Sequence, residues 1–229
     1  MTGYYFGSCL DNFKDEVYDY FFSGIPCYED LSFFGVDVKT PESYKTKFMD
    51  LIVPMMNPRL GTATIAFTGN RRNNSIIAPK FYFVCQAFFE NGYVLKDAKY
   101  IKKTDSYNAY SSTLIHAYTF QKKGMKGVHN LRKDSLYNTY GKDCWGPFKK
   151  EFLIGKEVVG MPIEIPTYHI QNFTDKGHIV YDPFVGIGST LEAARSLDRQ
   201  YLGYEIRKEI WEEGKKRFPN LISYTKQPI

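Results

Sequence analysis

The chain has 229 residues, a formal net charge of +5 and many aromatic residues, including 19 Tyr and 18 Phe. Its length favours one compact domain over residues 1–229, with a core that is stable without disulfides or metals. The four cysteines are scattered without metal-type spacing, and no apolar stretch reaches the roughly 20 residues that span a bilayer. A disulfide-rich secreted scaffold and a membrane-spanning protein are therefore disfavoured. We expect a soluble protein of the cytoplasm, or of the host-cell interior if the chain is viral.

The first half of the chain alternates β-forming runs with helical patterns. The β-forming runs predict strands over residues 4–6, 17–22, 62–68, 93–101 and 112–120, the last two antiparallel. Apolar residues at helical spacing predict helices over residues 40–55 and 79–89, and Thr40 with Pro41 suits the start of the first. A loop at residues 24–31 follows the second strand. In doubly wound sheets, ligands bind at the carboxyl ends of strands.

Basic and aromatic residues crowd together between residues 121 and 160, where the regular pattern weakens. Basic groups among aromatic rings suit phosphate contact and base stacking, although a solvated irregular insertion explains them equally well. The mild positive charge of the chain fits an anionic partner such as nucleic acid without demonstrating one. We predict a target-recognition insertion over residues 121–160. With a basic pair after the third strand, the nucleic-acid-binding candidates are Arg71, Arg72, Lys122, Lys123, Arg132, Lys133 and Trp145.

The most informative stretch lies near the C-terminal end of the sequence. A predicted strand ends at Asp182, and a turn carrying Gly186 and Gly188 follows. After a predicted helix over residues 190–197, a second short strand closes on Glu205. Strand, glycine turn, helix, strand and acid is the layout of a nucleotide-type cofactor site, because glycines let a ligand approach the backbone and the acid can bind ribose hydroxyls.

The string Asp-Pro-Phe-x-Gly-x-Gly-Ser-Thr at residues 182–190 resembles the S-adenosylmethionine motif of DNA amino-methyltransferases. Over nearly its whole length the chain resembles the permuted, or β-group, members, in which the catalytic loop precedes the cofactor motif. The resemblance implies an α/β, Rossmann-like methyltransferase fold with a mostly parallel sheet of about seven strands and helices on both faces. It implies S-adenosylmethionine as cofactor, with Glu205 on the ribose hydroxyls. The cofactor-binding residues that it implies are Asp182, Phe184, Gly186, Gly188, Thr190 and Glu205. Ser8, at a turn where the family has an acidic residue, and Ser189 complete the candidates.

The catalytic loop departs from the family's tetrad, which is Asp, Asn or Ser, then Pro-Pro, then an aromatic residue. In the family, the polar side chain and the first proline's carbonyl accept both hydrogens of the target amino group, and the aromatic ring stacks on the flipped base. Aligned from the strand, this chain has Gly-Ile-Pro-Cys at residues 24–27, so the polar acceptor is absent. A slipped loop would present Ser23 instead, with Tyr28 for stacking. The catalytic candidates are Ser23, Gly24, Pro26, Cys27 and Tyr28.

Two other readings stay open. Residues 19–28 also resemble the catalytic loop of cytosine C5-methyltransferases, in which a thiolate adds to C6 of the pyrimidine, and Cys27 would be that nucleophile. Without the polar acceptor, the chain could instead be an inactive subunit that binds DNA or a partner, although the intact cofactor motif argues against this.

We predict an S-adenosylmethionine-dependent DNA methyltransferase that modifies the exocyclic amino group of adenine or cytosine in a flipped-out base. RNA is the other substrate class that stacking and phosphate contact allow. Because the segment at residues 121–160 is short, recognition is either of few bases or shared within a homodimer or with a second subunit.

Overall fold

The structure is a computed structural model, and it describes most but not all of the chain. The described residues are 2–11, 17–26, 40–55, 57–68, 72–73, 76–77, 79–103, 114–130, 144–148, 153–154, 157–158 and 160–225.

The described residues form thirteen strands and five α-helices. The strands are β1 (Gly3–Phe6), β2 (Tyr20–Gly24), β3 (Thr62–Thr68), β4 (Arg72–Asn73), β5 (Ile76–Ile77), β6 (Tyr93–Lys103), β7 (Leu114–Lys122), β8 (Cys144–Phe148), β9 (Leu153–Ile154), β10 (Glu157–Val158), β11 (Ile179–Asp182), β12 (Gln200–Glu205) and β13 (Ser223–Thr225). The helices are α1 (Pro41–Ile52), α2 (Lys80–Glu90), α3 (Glu164–Phe173), α4 (Ser189–Ser196) and α5 (Lys208–Arg217), with short 3-10 turns at Cys9–Asp11 and Val53–Met55. No helix in the described ranges is long and apolar enough to cross a membrane.

Nine of these strands form one sheet in the order β13-β1-β12-β11-β2-β3-β7-β6-β8. All of them run in one direction except β7, which is antiparallel to both β3 and β6. The predicted mostly parallel sheet is therefore confirmed. The number of strands is nine and not about seven, because the short strands β13 and β8 extend the sheet at its two edges, where the sequence pattern is weakest. Two small antiparallel hairpins, β4 with β5 and β9 with β10, stand apart from it.

Helices cover both faces of the sheet, as predicted. Alternate residues of the strands point to opposite faces. Phe21 of β2 packs in one core cluster with residues of α1 and α2, whereas its neighbours Tyr20 and Phe22 pack in a second cluster with residues of α3, α4 and α5. Strand β2 is packed between these two buried layers, and the packing holds its carboxyl end in position.

Strand β2 begins and ends later than the sequence predicts. It covers Tyr20–Gly24 and not residues 17–22, because Ser23 and Gly24 still pair with Ile65 and Ala66 of β3. Ahead of the strand, the Asp19 carboxylate accepts a hydrogen bond from the Ile179 amide at 2.7 Å and forms an ion pair with Arg59. Ser23 and Gly24 are consequently the last residues of β2, at the edge of the sheet that is formed by the carboxyl ends of its parallel strands.

The start of α1 confirms the predicted cap. The Thr40 hydroxyl accepts a hydrogen bond from the Ser43 amide at 3.1 Å, and the Ser43 hydroxyl accepts one from the Thr40 amide at 3.0 Å. This reciprocal pair satisfies two amides that a helix start leaves without intrahelical partners. Tyr44 and Ile52 of α1 are buried against the sheet.

Candidate active site

The carboxyl ends of four neighbouring parallel strands meet at one edge of the sheet. Phe6 at the end of β1 lies beside Glu205, and Asp182 at the end of β11 lies beside Gly203. On the other side of β11, the paired residues Val180 and Tyr181 lie beside β2, which ends at Gly24. The edge therefore assembles the first turn, the two acids and the start of the predicted catalytic loop, as expected for ligand sites of doubly wound sheets.

The Asp182 carboxylate accepts hydrogen bonds from several parts of this edge. Its side chain is buried, and its Oδ1 accepts hydrogen bonds from the Ser23 hydroxyl at 2.7 Å and the Phe184 amide at 3.0 Å. Burial raises the pKa of the Asp182 carboxyl to about 6, while hydrogen bonds from Thr190, Ser23 and the Phe184 amide act in the opposite direction. Asp182 thus joins β2, the glycine turn and α4.

The glycine turn after Asp182 is held by the acid at the end of β12. The Gly186 amide donates to Glu205 Oε2 at 3.0 Å, and the Tyr4 hydroxyl donates to the Gly186 carbonyl at 2.5 Å. Gly186 and Gly188 have φ angles of 60° and 103°, a region that side-chain-bearing residues rarely occupy. The Gly188 conformation opens α4, whose first residues are Ser189 and Thr190.

Glu205 is buried at the end of β12 and keeps capacity for a ligand. Its Oε1 accepts a hydrogen bond from the Arg207 amide at 2.7 Å, in addition to the Gly186 amide on Oε2. A carboxylate has about four acceptor sites, so further hydrogen bonds from ligand hydroxyls are available to it. Burial raises the pKa of Glu205 to about 7, against the effect of the two amide hydrogen bonds.

Two serines complete the cofactor side of the edge. The Ser189 hydroxyl is buried and has no hydrogen-bond partner within the described ranges. Such a group is normally satisfied, and a polar ligand on the glycine turn would satisfy it. Ser8 follows β1, where the Gly7 amide donates to the Glu205 carbonyl at 2.9 Å. Ser8, Ser189 and Glu205 therefore belong to the same edge, and the donor set fits a ligand that carries hydroxyl and charged polar groups.

The end of β2 has a polar side chain in an unexpected place. The Ser23 hydroxyl, which is fully buried, donates a hydrogen bond to Asp182 and also lies 3.3 Å from the Gly24 carbonyl oxygen. Gly24 has no side chain, and a Cβ built on it would lie 2.9 Å from the Met161 methyl group. The Pro26 carbonyl accepts a hydrogen bond from the Tyr44 hydroxyl at 3.0 Å. Cys27 and Tyr28 lie outside the described residues.

Among the predicted nucleic-acid contacts, the two whose side chains the structure describes do not lie at this edge. Lys122 and Lys123 lie at the opposite edge, because the Lys122 amide donates to the Gly61 carbonyl at the amino end of β3. Arg72 lies in β4 and Trp145 lies in β8, but the structure does not describe the side chains of these two residues. Arg71, Arg132 and Lys133 are outside the described residues. Part of the segment at residues 121–160 belongs to the large sheet, because it contains the last two residues of β7 and the whole of β8.

Three residues of the site were missed by the sequence analysis as functional positions. Tyr4 supports the glycine turn from β1, and Met161 faces Gly24 from the segment before α3. Gly203 packs against the turn so closely that a Cβ would lie 2.1 Å from Val185 Cγ2 and 2.7 Å from the Asp182 carbonyl oxygen. For Gly203 a signal existed, since a glycine inside a strand often marks a close approach of backbone.

A mostly parallel sheet with a glycine turn after one strand and an acid at the end of the next is the layout of a Rossmann-like cofactor site, and the methyltransferases form one class of proteins with it. Within that class, a family model described as DNA methylase, for N6 and N4 methylation, matches residues 43–216. The chain belongs to this DNA methylase family.

Two known type II methyltransferases are similar to parts of the chain in sequence. The type II methyltransferase M.MjaI of Methanocaldococcus jannaschii is 32% identical over 115 residues, which are 45% of this chain and 38% of that protein. The type II methyltransferase M2.MboI of Moraxella bovis is 30% identical over 129 residues, or 52% and 45% of the two chains. The matched parts thus span less than half the length of these relatives.

Solved structures establish the fold over most of the chain. The complex of M1.HpyAVI with S-adenosylmethionine has a TM-score of 0.69 at 22% identity and covers 95% of this chain and 99% of that one. The PvuII DNA methyltransferase, described as cytosine-N4-specific, has a TM-score of 0.75 at 15% identity and covers 95% and 86%.

Proposed function

We propose that the chain is an S-adenosylmethionine-dependent DNA methyltransferase that modifies the exocyclic amino group of adenine or cytosine in a flipped-out base. The observation that carries the proposal is the junction between β2 and β11. The hydrogen bond from Ser23 to Asp182 joins the strand before the substrate loop to the strand before the glycine turn. A cofactor on that turn and a base at the end of β2 would be neighbours.

The cofactor site in this proposal uses the chain's own hydrogen-bonding groups. Glu205 accepts hydrogen bonds from the two ribose hydroxyls through charge-assisted contacts. The glycine turn allows the methionine part to approach the backbone, and Ser189, Thr190 and Asp182 lie where they can bind its polar groups. When bound, S-adenosylmethionine supplies a methyl group on a positively charged sulfur.

The target amino group must be held through its hydrogens. Its nitrogen is a weak nucleophile because the lone pair is delocalised into the ring, and acceptors on both hydrogens localise that pair. By the resemblance, the Ile25 carbonyl is the acceptor for one hydrogen. The second acceptor would project from position 24, where this chain has a glycine against the Met161 methyl group. Transfer to an amino group is therefore expected to be slower than with a complete tetrad.

The proposal can be separated from its two alternatives. Methylation of cytosine C5 needs Cys27 as a nucleophile, whereas the match to the N6 and N4 family favours the amino target. An inactive subunit would bind the cofactor without transferring its methyl group. DNA is the proposed substrate, and residues 121–160 are proposed to recognise it, alone or shared with a second copy or another subunit.

Incubation with labelled S-adenosylmethionine and mixed-sequence DNA, followed by mass analysis of the nucleosides, tests the function. N6-methyladenine or N4-methylcytosine is expected, and an Asp182→Ala variant should give neither. 5-Methylcytosine that disappears in Cys27→Ser would contradict the amino target. Cofactor binding without any methylated nucleoside would identify an inactive subunit, and a product only on a parallel RNA sample would change the substrate class.

A further inference from the structure

Ser23 and Asp182 form a buried hydrogen bond between two neighbouring strands. The Ser23 side chain is fully buried in β2, and its Oγ lies 2.7 Å from Oδ1 of Asp182 in β11. The same hydroxyl is 3.3 Å from the Gly24 carbonyl oxygen, a weaker contact. Because a hydroxyl has a single hydrogen to donate, the short bond to the carboxylate determines its orientation.

Asp182 receives hydrogen bonds from three parts of the site. Ser23 donates from the strand that leads to the substrate loop, the Phe184 amide donates from the glycine turn, and Thr190 donates from α4. Hydrogen bonds to an ionised carboxylate are stronger than those between neutral groups. Removal of the Ser23 hydroxyl would therefore leave the Asp182 carboxylate its bonds to the glycine turn and α4, and would remove its described bond to the substrate strand.

We propose that Ser23 is a positioning residue that orients the Asp182 carboxylate and thereby couples the strand before the substrate loop to cofactor binding. Ser23 would act through Asp182 and not on the target amino group. The ligand in this inference rests on the proposed function, whereas the bond itself is a property of the protein without ligand.

The charge state of Asp182 offers a direct readout. Burial raises its pKa to about 6, and the hydrogen bond from Ser23 lowers it. The titratable groups whose charge interacts with Asp182 are Glu205, Tyr4 and Tyr181, and burial raises the pKa of both tyrosines, so they stay neutral. Loss of the Ser23 hydroxyl should therefore move the Asp182 titration to higher pH. An ionised Asp182 binds cationic or hydrogen-donating ligand groups better, so cofactor affinity should rise with pH.

Carbon-13 NMR titration of the aspartate carboxyl groups, assigned with Asp182→Asn, tests the bond in the free protein. Ser23→Ala should raise the Asp182 midpoint by about one pH unit, whereas Ser23→Thr retains the hydroxyl and should restore it. Thr64→Val is the matched control, because it removes another buried strand hydroxyl, which is bonded to Thr119 and Tyr20. An unchanged midpoint in Ser23→Ala would overturn the inference.

Calorimetric titration with S-adenosylmethionine across pH tests the coupling. Ser23→Ala should bind roughly fivefold more weakly than wild type at about pH 6, and the two should converge at about pH 8.5. A loss of affinity that is equal at all pH values would contradict the coupling. If wild type binds no S-adenosylmethionine, the proposed function fails, and the NMR titration still decides the bond.

Discussion

Gly24 and Met161 are neighbours at the end of β2, where the proposed chemistry needs an acceptor. Gly24 ends β2 at the position where the resemblance places the polar acceptor, and its φ angle lies outside the positive range that only glycine tolerates. The obstacle to a side chain there is the Met161 methyl group, the flexible end of a long side chain. An acceptor could therefore be added at position 24 if Met161 is shortened.

We expect Gly24→Ser combined with Met161→Ala to transfer methyl groups to amino nitrogen roughly tenfold faster than wild type, the equivalent of about one hydrogen bond in the transition state. Gly24→Ser alone should gain less, because its Cβ meets Met161. Single-turnover methyl transfer at saturating cofactor measures the effect, with Met161→Ala as the control for space alone. Equal rates for the Gly24→Ser variant and for the variant that combines Gly24→Ser with Met161→Ala would show that Met161 does not occupy the acceptor position.

At the scale of elements, β12 and the glycine turn are fitted to each other. The Val185 amide donates to the Tyr204 carbonyl at 3.1 Å, which brings the turn onto the strand beside Gly203. Backbone of Asp182 and the side chain of Val185 fill the space where a Cβ at Gly203 would lie. Because a backbone atom is part of this contact, the turn itself must shift if Gly203 gains a side chain.

Gly203→Ala should lower the free energy of unfolding by about 1–3 kcal/mol and weaken cofactor binding, since the displaced turn carries the binding groups. Gly124→Ala is the control, because Gly124 has a φ of +79° with open space around it. The control should cost about 1–2 kcal/mol through its backbone conformation and leave cofactor affinity unchanged. Denaturant unfolding and calorimetry measure both quantities. Wild-type affinity in Gly203→Ala would contradict the fit of strand and turn.

At the scale of the whole molecule, the two edges of the sheet have different surroundings. The cofactor groups and the end of β2 lie at the carboxyl edge, together with Lys102 near the carboxyl end of β6. Lys122 and Lys123 lie at the amino edge, where the Lys122 ammonium group lies over the Tyr93 ring at 5.0 Å. DNA that delivers a base to the carboxyl edge would pass Lys102 before it could reach the other two lysines.

Lys102→Glu should therefore weaken DNA binding and reduce the salt dependence of the affinity by about one phosphate contact. Lys123→Glu is the matched control, because it makes the same charge change on an exposed lysine at the opposite edge. Fluorescence anisotropy at several salt concentrations measures both variants. An equal loss of affinity in the two would indicate that binding follows net charge and not the position of the site.

The sequence by itself predicted which residues meet at the glycine turn, because those residues follow one another along the chain. Strand, glycine turn, helix and acid from Asp182 to Glu205 are linked by local geometry, and the structure brings the predicted residues together. The Thr40 cap of α1 is readable for the same reason, since its partner is Ser43.

Only the tertiary structure decided the contacts between distant parts of the chain. Ser23 and Asp182 are 159 residues apart, and their bond depends on β2 and β11 being neighbours in the sheet. The place of Lys122 depends on the direction of β7, which carries it to the amino edge, away from the cofactor. The order of the strands is set by the packing of the whole sheet between its two helical layers, and no local pattern of residues encodes it.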